Sequence, residues 1–158
     1  MYIFASRQRT RKGFTLVELA VVIVIIGVLA AFGVPRFLQS VEKSKASEAF
    51  NYLTAIQSAE ERYLAQNGTY ASTISSLDVT LPAPQYFTVP STITVTPDSA
   101  GNPGWSLMLT RNSNSSYAYT VNWTQNGFDT SSTSTIMTYP QICPVTVSSG
   151  SSSSSSGS

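Results

Sequence analysis

The stretch that decides the fold is residues 14–34, which read FTLVELAVVIVIIGVLAAFGV. Only Thr15 and Glu18 are polar within it. At about 1.5 Å per residue, a helix of this length reaches across the hydrocarbon core of a bilayer. It is also longer than the apolar region of an ordinary secretory signal peptide. The segment therefore predicts a membrane-spanning helix that carries one carboxylate.

A cluster of basic residues lies directly before this segment, at positions 7, 9, 11 and 12. Such a cluster holds its end of the chain in the cytoplasm, so the bulk of the protein is expected outside. The small residue expected at a processing site, Gly13, precedes the apolar run, whereas a secretory cleavage site follows it. A cut after Gly13 would leave the helix on the product. It would also create an amino group on Phe14, four residues before Glu18.

The motif KGFTLVEL at residues 12–19, followed by an apolar helix, strongly resembles the class III signal of type IV prepilins and of type II secretion pseudopilins. The resemblance extends over about residues 7–64. It implies that a prepilin peptidase cuts between Gly13 and Phe14 and that the new N-terminus of Phe14 is methylated. It also implies a single-pass protein of the inner membrane that later becomes part of an extracellular pilus.

Glu18 needs a reason, because a carboxylate near the middle of a membrane helix costs roughly 2.5–3.5 kcal/mol, and somewhat less near the helix start. The resemblance implies that Glu18 neutralises the N-terminal amine of a neighbouring subunit during filament assembly. Removing one partner of a buried ion pair leaves the other charge buried and unpaired. Such a pair therefore favours subunits that enter the filament at the position where the two charges meet. The alternative is a protonated Glu18, or one whose side chain extends to the membrane surface.

Gly27, Gly33 and Pro35 favour a bend or a loosening of this helix. Proline lacks an amide donor and its ring clashes with the carbonyl of Ala31, while glycine lowers helix propensity by about 1 kcal/mol. In filaments of the resembling family the helix unwinds locally between a glycine and a proline, and the resemblance implies the same between Gly27 and Pro35. A mild static kink in the isolated subunit is the alternative.

The helical pattern continues beyond Pro35 and predicts one helix over residues 14–66, about 80 Å long. Asn67-Gly68 predicts the C-terminal end of this helix. Apolar residues at steps of three and four form a stripe on one face of the second half. These residues are Ala49, Tyr52 or Leu53, Ile56, Ala59 and Tyr63. A small domain cannot cover a helix of this length, so its first part must lie in lipid or against other copies of itself.

Alternating residues at 92–96, 105–109 and 117–123 predict three antiparallel strands in a meander, with 136–139 as a possible fourth strand. The apolar face of this sheet is expected to cover the helix stripe. Its predicted members are Ile93, Val95, Trp105, Leu107, Leu109, Tyr119, Val121 and Trp123. The predicted fold is therefore α+β and pilin-like, with the C-terminal half of the helix packed on a sheet of three to four strands.

Four segments follow from this interpretation. Residues 1–13 are a cleaved leader and 14–34 a transmembrane and filament-core helix. Residues 35–147 are a soluble head that includes the second half of the helix, and 148–158 are a flexible Ser-rich tail.

The composition argues against an enzyme. The chain has no histidine, its eight acidic residues are scattered, and it lacks a P-loop, a dinucleotide-binding turn and a GxSxG motif. We expect no catalytic residue, no cofactor and no metal site. Cys143 is the only cysteine, whereas many pilins of the resembling family close their C-terminal region with a cysteine pair. We expect a buried or idle thiol, with an intermolecular bridge as the alternative.

Removal of the leader would take four of the nine basic residues and leave five against eight acids, a net side-chain charge of −3. This balance does not favour nucleic-acid binding. The remaining cations near the membrane, Arg36, Lys43 and Lys45, are placed to meet anionic lipid headgroups or simply to be solvated.

The predicted function is a structural subunit of a type IV pilus that supports adhesion, twitching motility or DNA uptake. Its expected partners are other copies of itself in a helical filament, the prepilin peptidase, an assembly platform in the inner membrane and, before assembly, the lipid bilayer. The alternative is a pseudopilin of a type II secretion system. The major pseudopilin of that system has a calcium site in a loop near its C terminus, and the loop PDSAGNPGW resembles it faintly through Asp98 and Asn102. No cluster of acidic residues follows this loop in the sequence, which favours the pilin over the pseudopilin. A membrane-anchored binding module that never polymerises would leave Gly13 and Glu18 unexplained.

Overall fold

A computed structural model describes residues 13–80, 82–97, 101–112, 116–131 and 133–145. In these ranges the chain forms one long α-helix, a five-stranded antiparallel sheet and two short 3-10 helices. The leader residues 1–12 and the predicted tail lie outside the described residues. The chain divides into two compact units, one ending at Leu38 and the other beginning at Gln39.

The helix α1 runs from Leu16 to Asn67 over 52 residues, which confirms the predicted long helix. It ends where the sequence indicated, because Gly68 adopts a positive φ of 74° and donates its N–H to the carbonyl of Leu64 at 2.8 Å. Pro35 lies inside α1, and the helix continues through it. Loosening of this segment in a filament stays a prediction.

The first unit exposes a continuous apolar surface. Every large apolar side chain from Phe14 to Leu38 is about half exposed or more, from 48% for Val22 to 87% for Leu16. By length and composition α1 is able to cross a membrane. An apolar surface of this extent is unfavourable in water, so it needs lipid or another protein surface.

The second half of α1 supplies one side of the core of the head. Its buried apolar residues repeat with helical periodicity and are Ala46, Ala49, Phe50, Tyr52, Leu53, Ile56 and Ala59. This confirms the predicted stripe, with Tyr63 partly buried at its end. Phe50, which the prediction left out, contacts Trp123 of the sheet with ring centroids 5.6 Å apart.

The sheet supplies the other side of the core. Its strands are β1 (Phe87–Thr88), β2 (Thr94–Val95), β3 (Trp105–Arg111), β4 (Thr120–Thr124) and β5 (Gly127–Phe128). The order is β1-β3-β4-β5, with β2 also paired to β3. All pairs are antiparallel, so the predicted meander is present as β2, β3 and β4.

Strands β1 and β2 form one interrupted edge strand. Phe87 pairs with Arg111 at one end of β3, and Val95 pairs with Trp105 at the other end. Five residues, 89–93, lie opposite three residues of β3, so the edge strand bulges between its two paired parts. Pro90 lies in this bulge, where a missing amide donor removes no hydrogen bond from the sheet.

The predicted fourth strand at 136–139 is wrong, because Thr135–Thr138 form a 3-10 helix. Hydroxyl groups explain the difference. The N–H of Thr120 donates to Thr135 Oγ1 at 2.8 Å, and the N–H of Asn122 donates to Ser134 Oγ at 3.0 Å. These side chains occupy the β4 amides that a further strand would need, and Ser and Thr compete in this way with regular structure.

The predicted core face of the sheet is buried except at one position. Val95 is 39% exposed, because it is the last residue of a two-residue strand at the end of the sheet. The backbone of Gly104, just before β3, passes close to Thr96, just after β2, and a Cβ at Gly104 would lie 2.8 Å from the carbonyl oxygen of Thr96.

Candidate functional site

The start of α1 is closed by Thr15 and Glu18, which satisfy each other's hydrogen-bonding groups. Glu18 donates its N–H to Thr15 Oγ1 at 3.2 Å. In return, Glu18 Oε2 accepts the Thr15 N–H at 2.8 Å and the Thr15 hydroxyl at 2.9 Å. Thr15 directly precedes the first helical residue, so this arrangement is a capping box of the form T-x-x-E.

The capping box gives the carboxylate in the apolar segment a partner within its own chain. The first N–H groups of a helix have no intrahelical acceptor, and the helix dipole favours a negative charge in the first turn. Sequence reasoning missed this role because it looked for a partner of Glu18 on another subunit or at the membrane surface, although the T-x-x-E spacing was readable. The cap also explains why α1 begins at Leu16 and not at Phe14.

The residues of the predicted processing site are accessible. Phe14 is 80% exposed, and no atom lies within 4 Å of a Cβ placed on Gly13. Cleavage after Gly13 and methylation of Phe14 stay predictions.

Gly27 and Gly33 also face open space, because a Cβ added at either position would meet nothing within 4 Å other than the helix's own nearby backbone. Packing within the subunit therefore does not require glycine at either position. The reasons that remain for glycine at these two positions are its low helix propensity, which loosens the helix, and contacts with other molecules.

The head contains a buried charged cluster that the sequence analysis did not predict. Glu42 on α1 is 3% exposed and Arg111 at the end of β3 is 6% exposed. Arg111 Nε lies 2.6 Å from Glu42 Oε1, and Arg111 Nη2 lies 3.3 Å from Glu42 Oε2. Tyr119 donates its hydroxyl to Glu42 Oε1 at 3.1 Å, and Lys45 Nζ lies 3.3 Å from Glu42 Oε2.

The same cluster holds the loop before β1. Arg111 Nη1 donates to the carbonyl oxygen of Tyr86 at 2.8 Å. The Arg111 guanidinium lies 5.3 Å from the centre of the Tyr86 ring, and Lys45 Nζ lies 4.8 Å from it. Lys45 is therefore engaged in the head, and the alternative of a simply solvated cation is wrong for this residue. The cluster ties α1, β3 and the loop before β1 together.

The electrostatics of the cluster favour its charged form. Burial alone would raise the pKa of Glu42, but the hydrogen bonds and charges of Arg111 and Lys45 outweigh this effect and lower it. The hydrogen bond to Glu42 likewise raises the pKa of Arg111. For Tyr119, burial and the Glu42 charge raise the pKa far above its usual value. Glu42 thus stays ionised and Tyr119 stays neutral at physiological pH.

A second buried carboxyl, Glu60, behaves in the opposite way. Its Oε2 accepts the N–H of Ala71 at 2.9 Å and so holds the loop after α1 against the helix. In the described part of the chain, Glu60 Oε1 and Trp105 Nε1 are buried without a hydrogen-bond partner. Burial raises the pKa of Glu60, and the hydrogen bond from Ala71 offsets only part of that effect.

Cys143 is a free thiol with 7% exposure. This confirms the expectation of a buried thiol, and the alternative of an intermolecular bridge would require the C-terminal segment to move. Asp98, on which the likeness to a calcium loop depended, lies outside the described residues. Within the described ranges, no three acidic or cysteine side chains gather into a group that could hold a metal ion.

Comparison with known proteins finds the motif and the relatives that the prepilin-like signal predicts. Residues 8–34 match the prokaryotic N-terminal methylation motif. The chain is 36% identical over 79 residues to type II secretion system core protein G of Vibrio cholerae, covering 50% of this chain and 54% of that protein. It is 41% identical over 63 residues to fimbrial protein EcpC of Eikenella corrodens, covering 40% and 41%. It is 40% identical over 60 residues to type IV major pilin protein PilA of Myxococcus xanthus, covering 38% and 27%.

The chain spans about half the length of its type II secretion relatives and less of the other two. No solved structure matches it significantly. The methylation motif and the long helix on a small antiparallel sheet define a pilin-like protein. The chain is thus similar both to type IV pilins and to type II secretion pseudopilins, and these matches leave the choice between the two open.

Proposed function

We propose that this protein is a structural subunit of a type IV pilus, assembled from the inner membrane into a helical filament on the cell surface. The observation that carries the proposal is the exposed apolar half of α1, which bears one capped carboxylate near its start. In the membrane, lipid covers this surface, and in a filament, the helices of other copies cover it. The same surface thus serves both states of the subunit.

The processing residues fit this proposal. A prepilin peptidase would remove residues 1–13 by cutting after Gly13, and methylation would follow on the amine of Phe14. That amine would pair with Glu18 of a neighbouring subunit, while an assembly platform in the inner membrane brings the copies together. Loosening between Gly27 and Pro35 would let the helix adapt to its neighbours in the filament.

A filament subunit requires no chemistry of its own, and we propose that the protein is not an enzyme. The charged groups of the head support this view. Glu42 and Arg111 form an ion pair with each other, and Glu60 is buried in the core, away from any substrate in solution. Adhesion, twitching motility or DNA uptake would then be properties of the assembled filament.

The second candidate is a pseudopilin of a type II secretion system. It is favoured by the core protein G relatives, which align over about half of both chains. Such a subunit would form a short periplasmic filament in place of a surface pilus. The same processing and the same helix contacts would serve it.

The mass and N-terminal sequence of the mature protein test the processing. We expect a chain that begins at Phe14 with one added methyl group. An intact Met1, or a first residue beyond Val34, would overturn the proposed role of α1. The Glu18→Ala variant should be cleaved largely as the wild type is, but it should form few or no filaments.

Deletion of the gene, with complementation, separates the two branches. Loss of surface filaments seen by electron microscopy, with secretion of exoproteins unchanged, supports the pilus subunit. Loss of exoprotein secretion in cells that never carried surface filaments supports the pseudopilin.

A further inference from the structure

We propose that Thr15 is a positioning residue for Glu18, which holds one oxygen of the carboxylate and leaves the other for the amine of the neighbouring subunit. The inference rests on the proposed function, because it concerns the pairing of Glu18 during assembly. It assigns a role to a side chain that lies between the cleavage site and Glu18 and takes no part in the charge pair itself.

The division between the two carboxylate oxygens carries the inference. Both donors of Thr15, the N–H and the hydroxyl, bind Oε2 at 2.8 and 2.9 Å. From the residues that the structure describes, Oε1 receives no hydrogen bond. A carboxylate offers about four acceptor sites, so Oε1 is able to take a charged donor while Oε2 stays bound. An ammonium group is such a donor and forms a short, strong hydrogen bond to a carboxylate.

The hydroxyl of Thr15 has two functions that can be separated. It accepts the N–H of Glu18 at 3.2 Å, which caps the helix. It also donates to Oε2, which orients the carboxylate. Serine retains both functions, and valine has nearly the same shape as threonine but has neither. Aspartate still accepts the N–H and caps the helix, but it donates no hydrogen bond and adds a like charge beside Glu18.

Orientation matters because the partner amine arrives on another molecule. A carboxylate held in one rotamer loses less conformational freedom when the pair forms, so pairing is more favourable than with a mobile side chain. Loss of one hydrogen bond to a charged group corresponds to about a tenfold change in the pairing equilibrium. We therefore expect a drop of about tenfold in filament yield when the hydroxyl donor is lost.

The experiment compares Thr15→Ser, Thr15→Val and Thr15→Asp in the full-length gene at its native locus. Mass spectrometry measures cleavage, circular dichroism of the purified chain in micelles measures helix content, and sheared filaments are quantified by immunoblot. Thr15→Ser should match the wild type. Thr15→Val and Thr15→Asp should be cleaved but yield about tenfold fewer filaments, with the helix content of Thr15→Asp unchanged.

Each outcome decides the question. Wild-type filament yield in Thr15→Val or in Thr15→Asp overturns the inference, because Thr15 would then act at most as a helix cap. If a variant is not cleaved, isotope-edited infrared spectroscopy in micelles tests the inference instead, by measuring the carboxylate band of Glu18. The Glu18→Gln variant, which lacks this band, identifies it. That band should shift in Thr15→Val and stay in place in Thr15→Ser, and an unshifted band in Thr15→Val also overturns the inference.

The control Glu18→Ala separates this inference from the proposed function. If Glu18→Ala forms normal filaments, the charge pair itself is wrong and the role of Thr15 falls with it. If Glu18→Ala forms none while Thr15→Val assembles normally, only the positioning role is wrong.

Discussion

Replacing Arg111 by leucine tests how the head is held on its helix. The guanidinium makes two contacts with Glu42 and one with the carbonyl of Tyr86. Glu42 is 3% exposed in the intact head, and without Arg111 its carboxylate would keep only Tyr119 and Lys45 as partners among the described residues. Breaking a buried pair in this way costs about 3–5 kcal/mol. Typical domains have about 5–15 kcal/mol of stability, so we expect a large loss.

The magnitude converts into a measurable shift. For a domain of roughly 100 residues, each kcal/mol moves the melting temperature by about 4 °C or more, so Arg111→Leu should melt at least about 12 °C lower. The assay is the near-ultraviolet circular dichroism of the full chain in detergent micelles. This signal comes largely from aromatic residues of the head such as Trp105 and Trp123, so helix that persists in the micelle does not mask the transition.

A double-mutant cycle separates the ion pair from general packing damage. The double variant Glu42→Leu with Arg111→Leu removes both charges, so it should be less destabilised than the sum of the two single variants. Lys43→Ala, at an exposed position on the same helix, should change stability by no more than about 0.5 kcal/mol. If Arg111→Leu loses less than about 1 kcal/mol, or if the two single effects simply add, the coupling inferred from the geometry is wrong.

Three further results are expected. Because the pKa of Glu60 is raised in the folded state, its contribution to stability is complete below the unfolded pKa of about 4.3 and is lost as pH rises through the folded pKa. Glu60→Gln should therefore melt higher than the wild type near pH 7 and no higher near pH 4, and the reverse order in a pH series of melting curves would contradict this account. Gly104→Ala should lower stability by about 1–3 kcal/mol in urea unfolding, because the new Cβ meets the Thr96 carbonyl, and an unchanged midpoint would show that the backbone at Gly104 and Thr96 adapts. Cys143 should resist a thiol reagent in the folded protein and react at once in denaturant, whereas rapid labelling of the native chain would reveal an open C-terminal segment.

Glu42 and Glu60 should respond to pH with opposite signs. The pKa of Glu42 is lowered in the folded state, so its contribution to stability is complete above the unfolded value and is lost as pH falls through the folded pKa. The two carboxyls lie on the same helix, and both are buried. Among the described residues, Glu42 is paired with the cation Arg111 of β3, whereas Glu60 accepts only the neutral N–H of Ala71. The opposite signs therefore follow from what lies across from each carboxyl in the folded head.

Local patterns were sufficient for the long helix, its stop at Gly68 and the three strands of the meander. Each of these features repeats with a short period or depends on neighbouring residues, so the sequence alone predicts it. The T-x-x-E cap at Thr15 and Glu18 belongs to the same group, although its spacing was overlooked. The inward position of Arg111 was also readable, because it continues the alternation of Trp105, Leu107 and Leu109.

Other features depend on residues far apart in the chain. Glu42 and Arg111 are 69 positions apart, and no local pattern says that one buried charge will meet the other. The segment around Ile136 alternates like a strand, but the hydroxyls of Ser134 and Thr135 accept the hydrogen bonds from the β4 amides that a further strand would need. The two-residue strands β1 and β5 exist only because β3 and β4 offer them a paired edge. Periodicity and helix capping are local, whereas a buried polar group finds its partner only once the chain has packed, and the tertiary structure alone decided these contacts.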